Sequence, residues 1–112
     1  ANIDIDLSGA LANAIGGTSV FARVKGLYIK ASAANTNNVV VGAAAATQWL
    51  TLIGTATGTA ILRPGAFMMV AAGVADATGY TVTAATADLL RIANSGAGTS
   101  VTYDIVALGC SA

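Results

Sequence analysis

The sequence predicts an all-β protein: a single-domain antiparallel β-sandwich of jelly-roll type. Three observations carry that expectation. Apolar and polar residues alternate in short segments along most of the 112 residues, the period-2 signature of strands with one buried face. Gly, Asn, Ser and one Pro-Gly pair punctuate those segments at close spacing, as turns between antiparallel strands do. The apolar stripes of roughly eight or nine such strands also need a second sheet to bury them, which a sandwich supplies. The densest run, Thr78–Gly109, holds three of these segments and reads as neighbouring antiparallel strands around which the chain is organised. A chain of this length holds one core, here divided into an N-terminal strand and arm, residues 1–19, and the sandwich body, residues 20–112.

Asn2–Leu7 places Ile3, Ile5 and Leu7 on one face and Asp4 and Asp6 on the other, the pattern of a half-buried edge strand. Carboxylates at i and i+2 on an exposed strand face read as solvated groups that discourage edge pairing rather than as a metal pair. Ser8–Ser19 is the one stretch with helical spacing: Ser8 is a cap, Leu11, Ala14 and Ile15 share a side, and Gly16-Gly17 end it. A helix this short is marginal in water, so a helical turn and a flexible arm stand as equal readings. Its glycines match neither GxGxxG nor the P-loop pattern.

Val20–Ser32 carries Arg23, Lys25 and Lys30, three of the five basic residues. Leu27, Ile29 and Ala31 share one face and Tyr28 and Lys30 the other, while Gly26 breaks the phase and predicts a bulge. The basic cluster reads as a solvated strand face, with contact to an acidic partner as the competing reading. Ala33–Asn38 is a turn and Val39–Val41 a short buried strand. Gln48–Ile53 reads as a strand, apolar on both faces and so covered on both, with Trp49 in the core or a subunit contact rather than serving as a ligand platform. Pro64-Gly65 turns Ala60–Arg63 into Ala66–Ala72, where Phe67, Met69 and Ala71 oppose Met68 and Val70. The methionines read as gap-fillers in a core, or else as an adaptable contact surface. Segments at Tyr80–Thr83 and Leu89–Ile92 follow as strands. In the last strand Val101, Tyr103, Ile105 and Ala107 form one stripe; the other turns apolar at Val106 and Leu108, which predicts a central position or an interface.

Composition narrows the chemistry. Charged residues are 9% of the chain and hydrophobic ones 55%, whereas an ordinary soluble domain carries about 25% charged residues; part of this surface is therefore expected to be covered by copies or partners. Five acidic residues balance five basic ones, which disfavours nucleic acid and anionic membranes as partners. His and Glu are both absent, removing the commonest general base and metal ligand, so no catalytic, cofactor or metal site is expected. Cys110 is the only cysteine; it has no disulfide partner and no His to activate it, and reads as an inert thiol. The uncharged span between Lys30 and Arg63 is broken by Asn, Gln, Gly and Thr and contains no membrane-spanning run of about 20 apolar residues. No basic n-region precedes an apolar one, so no secretory signal is expected, and a start at Ala1 fits removal of an initiator Met.

Three segments, GLYIKASAANTNNVVVG, ILRPGAFMMVA and TGYTVTAATADLLRIANSGAGTSVTYDIVALG, also carry a resemblance. From about Gly26 to the C-terminus the chain resembles small virion structural proteins of tailed bacteriophages. Pro64 and Gly65, Thr78, Gly79 and Tyr80, Asp88 and Leu90, and Tyr103 and Asp104 correspond to framework residues there. The resemblance implies a non-enzymatic decoration or cement protein, made in the host cytoplasm and bound to the outer capsid surface of the virion. The major capsid protein would be its partner, and the protein itself a symmetric homo-oligomer, with a trimer as the form put forward. Candidate contacts to the capsid or a neighbour are Ile3, Ile5, Leu11 and Ile15 on the N-terminal arm, with Arg23, Lys25 and Lys30. The alternative is a tail, neck or fibre module that binds a host surface glycan through an exposed Trp49, Tyr28 or Tyr80. A threonine-rich ice-binding face on Thr55, Thr57, Thr59, Thr81 and Thr83 ranks lower because two short runs make no flat array, and enzymatic activity ranks last.

Overall fold

A computed structural model describes residues 2–9, 11–12 and 17–111. They form β1 (Asn2–Asp6), β2 (Leu11–Ala12), β3 (Thr18–Ser19), β4 (Arg23–Ala31), β5 (Val39–Gly42), the single helical turn α1 (Leu50–Ile53), β6 (Thr59–Leu62), β7 (Phe67–Ala71), β8 (Tyr80–Thr81), β9 (Leu89–Asn94) and β10 (Tyr103–Cys110). One sheet runs β1-β9-β5-β6 and the second β10-β4-β7, with β8 joining β4 on the same edge as β7; β2 and β3 pair separately. Every one of these strand pairs is antiparallel.

Alternation decides what lies between the sheets. Leu27, Ile29 and Ala31 of β4 face Val39 and Val41 of β5, Leu62 of β6 and Leu90 and Ile92 of β9 in one buried cluster, joined by Leu7, Val24, Trp49 and Val82. The expected stripe Val101, Tyr103, Ile105 and Ala107 packs against that cluster, as do Ile5 and Met68. The phase break in β4 is a bulge. Leu108 faces Gly26 but Gly109 faces Val24, so Lys25 is the extra residue, and both Val24 and Leu27 point inward despite their odd spacing.

Four expectations are corrected. Thr78–Gly109 does supply antiparallel strands, but they are not neighbours: β8 and β10 both lie on β4, while β9 lies between β1 and β5. Their connections, 82–88 and 95–102, are long enough to cross between sheets, and alternation carries no label for which sheet a strand joins. Gln48–Ile53 is not a strand. Gln48 makes one isolated bridge to Leu89; the chain then closes a turn at Leu50–Ile53, ended by Gly54 at φ 90°, whose N–H donates to the Leu50 carbonyl. Trp49 and Leu52, three residues apart, turn to the core while Leu50 stays exposed. Asn2–Asp6 forms the expected edge strand, pairing with β9 along its length, and Leu7 is buried. Beyond it Leu11–Ala12 pairs with Thr18–Ser19 as a small antiparallel ribbon rather than a helical turn. Ala14, Ile15 and Gly16 lie outside the described residues. Finally, of the central position or interface expected for the far end of the last strand, the central position is overturned: among the described residues β10 pairs with β4 alone and is an edge strand.

Candidate interaction face

Residues directly opposite one another on paired strands point the same way, so the register of β10, β4 and β7 generates a grid on the face turned away from the core. Its rows are Asp104–Lys30–Phe67, Val106–Tyr28–Met69 and Leu108–Gly26–Ala71. Phe67 is 62% exposed, Met69 70%, Val106 51% and Leu108 65%. Tyr28 leans on Phe67, with ring centroids 5.9 Å apart. A three-stranded sheet thus shows water a continuous apolar surface, with its two charges confined to one row. The outer face of the other sheet contrasts with it. There Asp4 and Arg91 form an ion pair, Nε to Oδ1 2.7 Å, beside the exposed Asp6, with Ile61 as the large exposed apolar group. The Arg91 guanidinium holds the Asp4 carboxyl below its ordinary range.

One end of the apolar face is fixed by the loop after β7. Arg23 and Lys25 donate to the carbonyls of Ala77 and Asp76. Asp76 Oδ1 accepts from the backbone N–H groups of Thr78 and Gly79, both at 3.0 Å, and these bonds lower the carboxyl's pKa, Gly79's first. Held this way, the loop carries Val74 fully exposed beyond Ala71. Two of the anticipated contact residues, Arg23 and Lys25, are therefore engaged by their own chain. Lys30 lies on the apolar face. Ile5 of β1, opposite Leu90, and Leu11 pack against the core; Ile3, opposite Ile92, is on the same side of the sheet but 53% exposed, at the groove beside the 95–102 loop; Ile15 is among the undescribed residues. Phe67 was not among the expected contacts, whereas Met69 had a contact surface as its second reading, and Val106 and Leu108 an interface as one of two. Their signal was present in the alternation of β7 and β10, both apolar on each face.

The aromatic residues divide. Trp49 is buried, its Nε1–H donates to the Thr81 carbonyl at 3.0 Å, and its ring meets Tyr80 edge-on, which removes it as a sugar platform and makes it a core anchor. Tyr28 remains half exposed beside Lys30. A groove of about 480 Å³ opens elsewhere, between β1 and the 95–102 loop, lined by Ile3, Ile92, Asn94, Thr99, Val101 and Tyr103 among others. Its rim is tied internally: Asn37 Nδ2 donates to Asn94 Oδ1 at 2.9 Å, and Asn94 Nδ2 to the Thr99 carbonyl at 2.6 Å.

Chemically, the apolar face can exclude water. Covering each of its large side chains contributes on the order of 1 kcal/mol, given that each is already partly shielded. Among the described residues no three potential metal-binding groups cluster, and no helix is long and apolar enough to cross a membrane. No known protein family, curated protein or solved structure matches the chain.

Proposed function

We propose that this chain is a non-enzymatic structural protein of a bacteriophage virion, which binds the outer capsid surface as a decoration or cement protein and stabilises the shell. The observation that carries the proposal is the apolar outer face of β10-β4-β7, on a chain with only 9% charged residues. A monomer rarely leaves a sheet face of this kind uncovered unless it is a contact surface. The resemblance of the segments from Gly26 onward to phage virion proteins supplies the setting, and the major capsid protein the partner. The strand order suits a jelly-roll reading, because β4 pairs with β10 in one sheet while the strands just inside them, β5 and β9, pair in the other. The mechanism is mass action: a protein that binds the assembled shell and not its separated subunits shifts the equilibrium towards the shell.

A second reading, attachment to a host glycan from the tail or neck, rests on Tyr28, which is half exposed next to Lys30. Reconstitution separates the two. Purified chain added to capsids that lack it should raise their melting temperature, and Met69→Lys should bind them less and protect them less. Equal protection by that variant, or none by the wild type, counts against the decoration reading; binding to host cell envelopes that Tyr28→Ala abolishes favours the second.

A further inference from the structure

We infer that the β10/β4 half of the apolar face pairs with the same surface on a second copy of this chain, as a two-fold stack of sheets in which Lys30 of each copy lies over Asp104 of the other. The argument starts from the distribution of charge. The face carries one cation and one anion, directly opposite each other on adjacent strands, so its net charge is zero and it is complementary to its own image. A two-fold axis parallel to the strands and midway between β10 and β4 exchanges those strands and keeps each row at its own level. Lys30 then meets Asp104 of the partner subunit and Asp104 meets the partner subunit's Lys30. Tyr28 and Val106 stack in the next row, and Leu108 covers the level of Gly26. Other in-plane two-folds place like groups together: an axis along β4 sets Lys30 against its own copy, and one across the strands through Tyr28 sets both charges over apolar residues. Phe67 and Met69 of β7 project past the axis and flank the outer edge of the second copy's β10, which pairs with no other strand among the described residues.

Size sets the strength. Strands of nine and eight residues, spaced about 4.8 Å apart and rising about 3.3 Å per residue, give a footprint of a few hundred Å². A standard stable interface buries about 800 Å² on each partner. The pair is therefore a weak dimer with a dissociation constant on the order of 100 µM, dissociated in dilute solution and formed where copies are crowded. Under the decoration reading, on which this use rests, a shell surface brings copies to effective concentrations of the order of millimolar and the two-fold contact of the β10/β4 half links neighbours, leaving the β7 strip with Met69 and the Val74 loop for the shell.

Sedimentation equilibrium of the purified chain, from about 10 µM to 1 mM, tests the pairing without any capsid. The wild type should pass from monomer to dimer across that range. Lys30→Asp alone and Asp104→Lys alone should each dimerise at least about tenfold more weakly, because two like-charge contacts form per dimer. An equimolar mixture of the two variants should recover dimerisation, since an all-acidic row then faces an all-basic one. Monomer throughout, a trimer instead of a dimer, or a mixture no tighter than the variants alone would overturn the inference. Thermal melts establish that each variant is folded. Should a charge variant unfold, Val106→Lys, at an exposed position in the middle row, reads the same surface and should abolish the dimer while leaving the melt in place. Failure of the decoration reading would instead show in the composition of virions, which this experiment does not touch.

Discussion

At the scale of single residues, Asp88 fixes a strained part of the chain. Its side chain is buried. It accepts from the Ala85 N–H at 2.8 Å and from Ser8 Oγ at 3.0 Å, with Thr47 as a further side-chain partner. Ala85 and Thr47 both have positive φ, 64° and 47°, a conformation that costs a non-glycine residue about 1 kcal/mol or more. The carboxylate therefore holds two unfavourable turns and the Ser8 corner at once. Asp88→Ala should destabilise the protein by about 1–3 kcal/mol in chemical denaturation, the cost of leaving buried donors unpaired. The bonds from Ala85 and its other partners lower the folded-state pKa of Asp88. Its contribution is thus complete above the unfolded carboxyl value of about 3.9 and is lost as pH falls through the lower, folded value. Stability measured from pH 6 down to pH 2 should fall more steeply in the wild type than in Asp88→Ala. Gly109 is a second sensitive point, since a Cβ there would run into the Arg23 carbonyl oxygen and lie 2.7 Å from the Phe21 ring; Gly109→Ala should cost roughly 2–4 kcal/mol by the same assay. Trp49 was legible as a core residue from its type and lack of aromatic neighbours. The role of Asp88 was not, because its partner Ser8 is 80 residues away and the strain it offsets leaves no mark in composition.

Among the elements, β4 is the organiser. It is the strand paired on both edges of its sheet, by β10 on one side and by β7 and β8 on the other, and it contributes Val24, Leu27, Ile29 and Ala31 to the core. Hydrogen exchange should find its amides the slowest in the protein, opening only with global unfolding. The loop after β7 should respond separately. Asp76→Ala removes the acceptor of the Thr78 and Gly79 amides, so those two should exchange about tenfold faster or more while β4 amides are unchanged; coupled loss of protection in β4 would mean that the loop is not an independent unit. Strand positions, the Gly26 bulge and the Pro64-Gly65 turn, where Gly65 has φ 81°, were readable because each depends on local chemistry. Which strand pairs with which was not, since the choice between sheets is settled by the crossover connections. The helical turn at Leu50–Ile53 was missed because a single turn is shorter than the window in which its period differs from that of a strand.

On the scale of the whole molecule, the sequence's excess of apolar residues has a location. The core accounts for the inward stripes, and the largest group of exposed apolar side chains, Phe67, Met69, Val106 and Leu108, gathers on one side of the sheet β10-β4-β7, while Ile3, Val20, Leu50, Ile61 and Val74 are exposed elsewhere. Composition alone announced that some surface must be covered; only the register showed which surface, by bringing residues from three distant segments into common rows. The N-terminal contacts expected from the phage resemblance were drawn from the part of the chain that the resemblance does not reach, and Ile5, Leu7 and Leu11 are used by the fold itself. Because Met69 is exposed and its strand neighbours are unaffected, Met69→Lys should leave the stability of the isolated protein within about 0.5 kcal/mol of wild type, while lowering its occupancy on particles. The central claim, that copies of this chain cover a capsid, is tested most directly by its copy number relative to the major shell subunit in purified virions, measured by quantitative mass spectrometry. A ratio close to that of the shell subunit is the predicted result; a handful of copies per particle would contradict it and place the protein at the tail or neck.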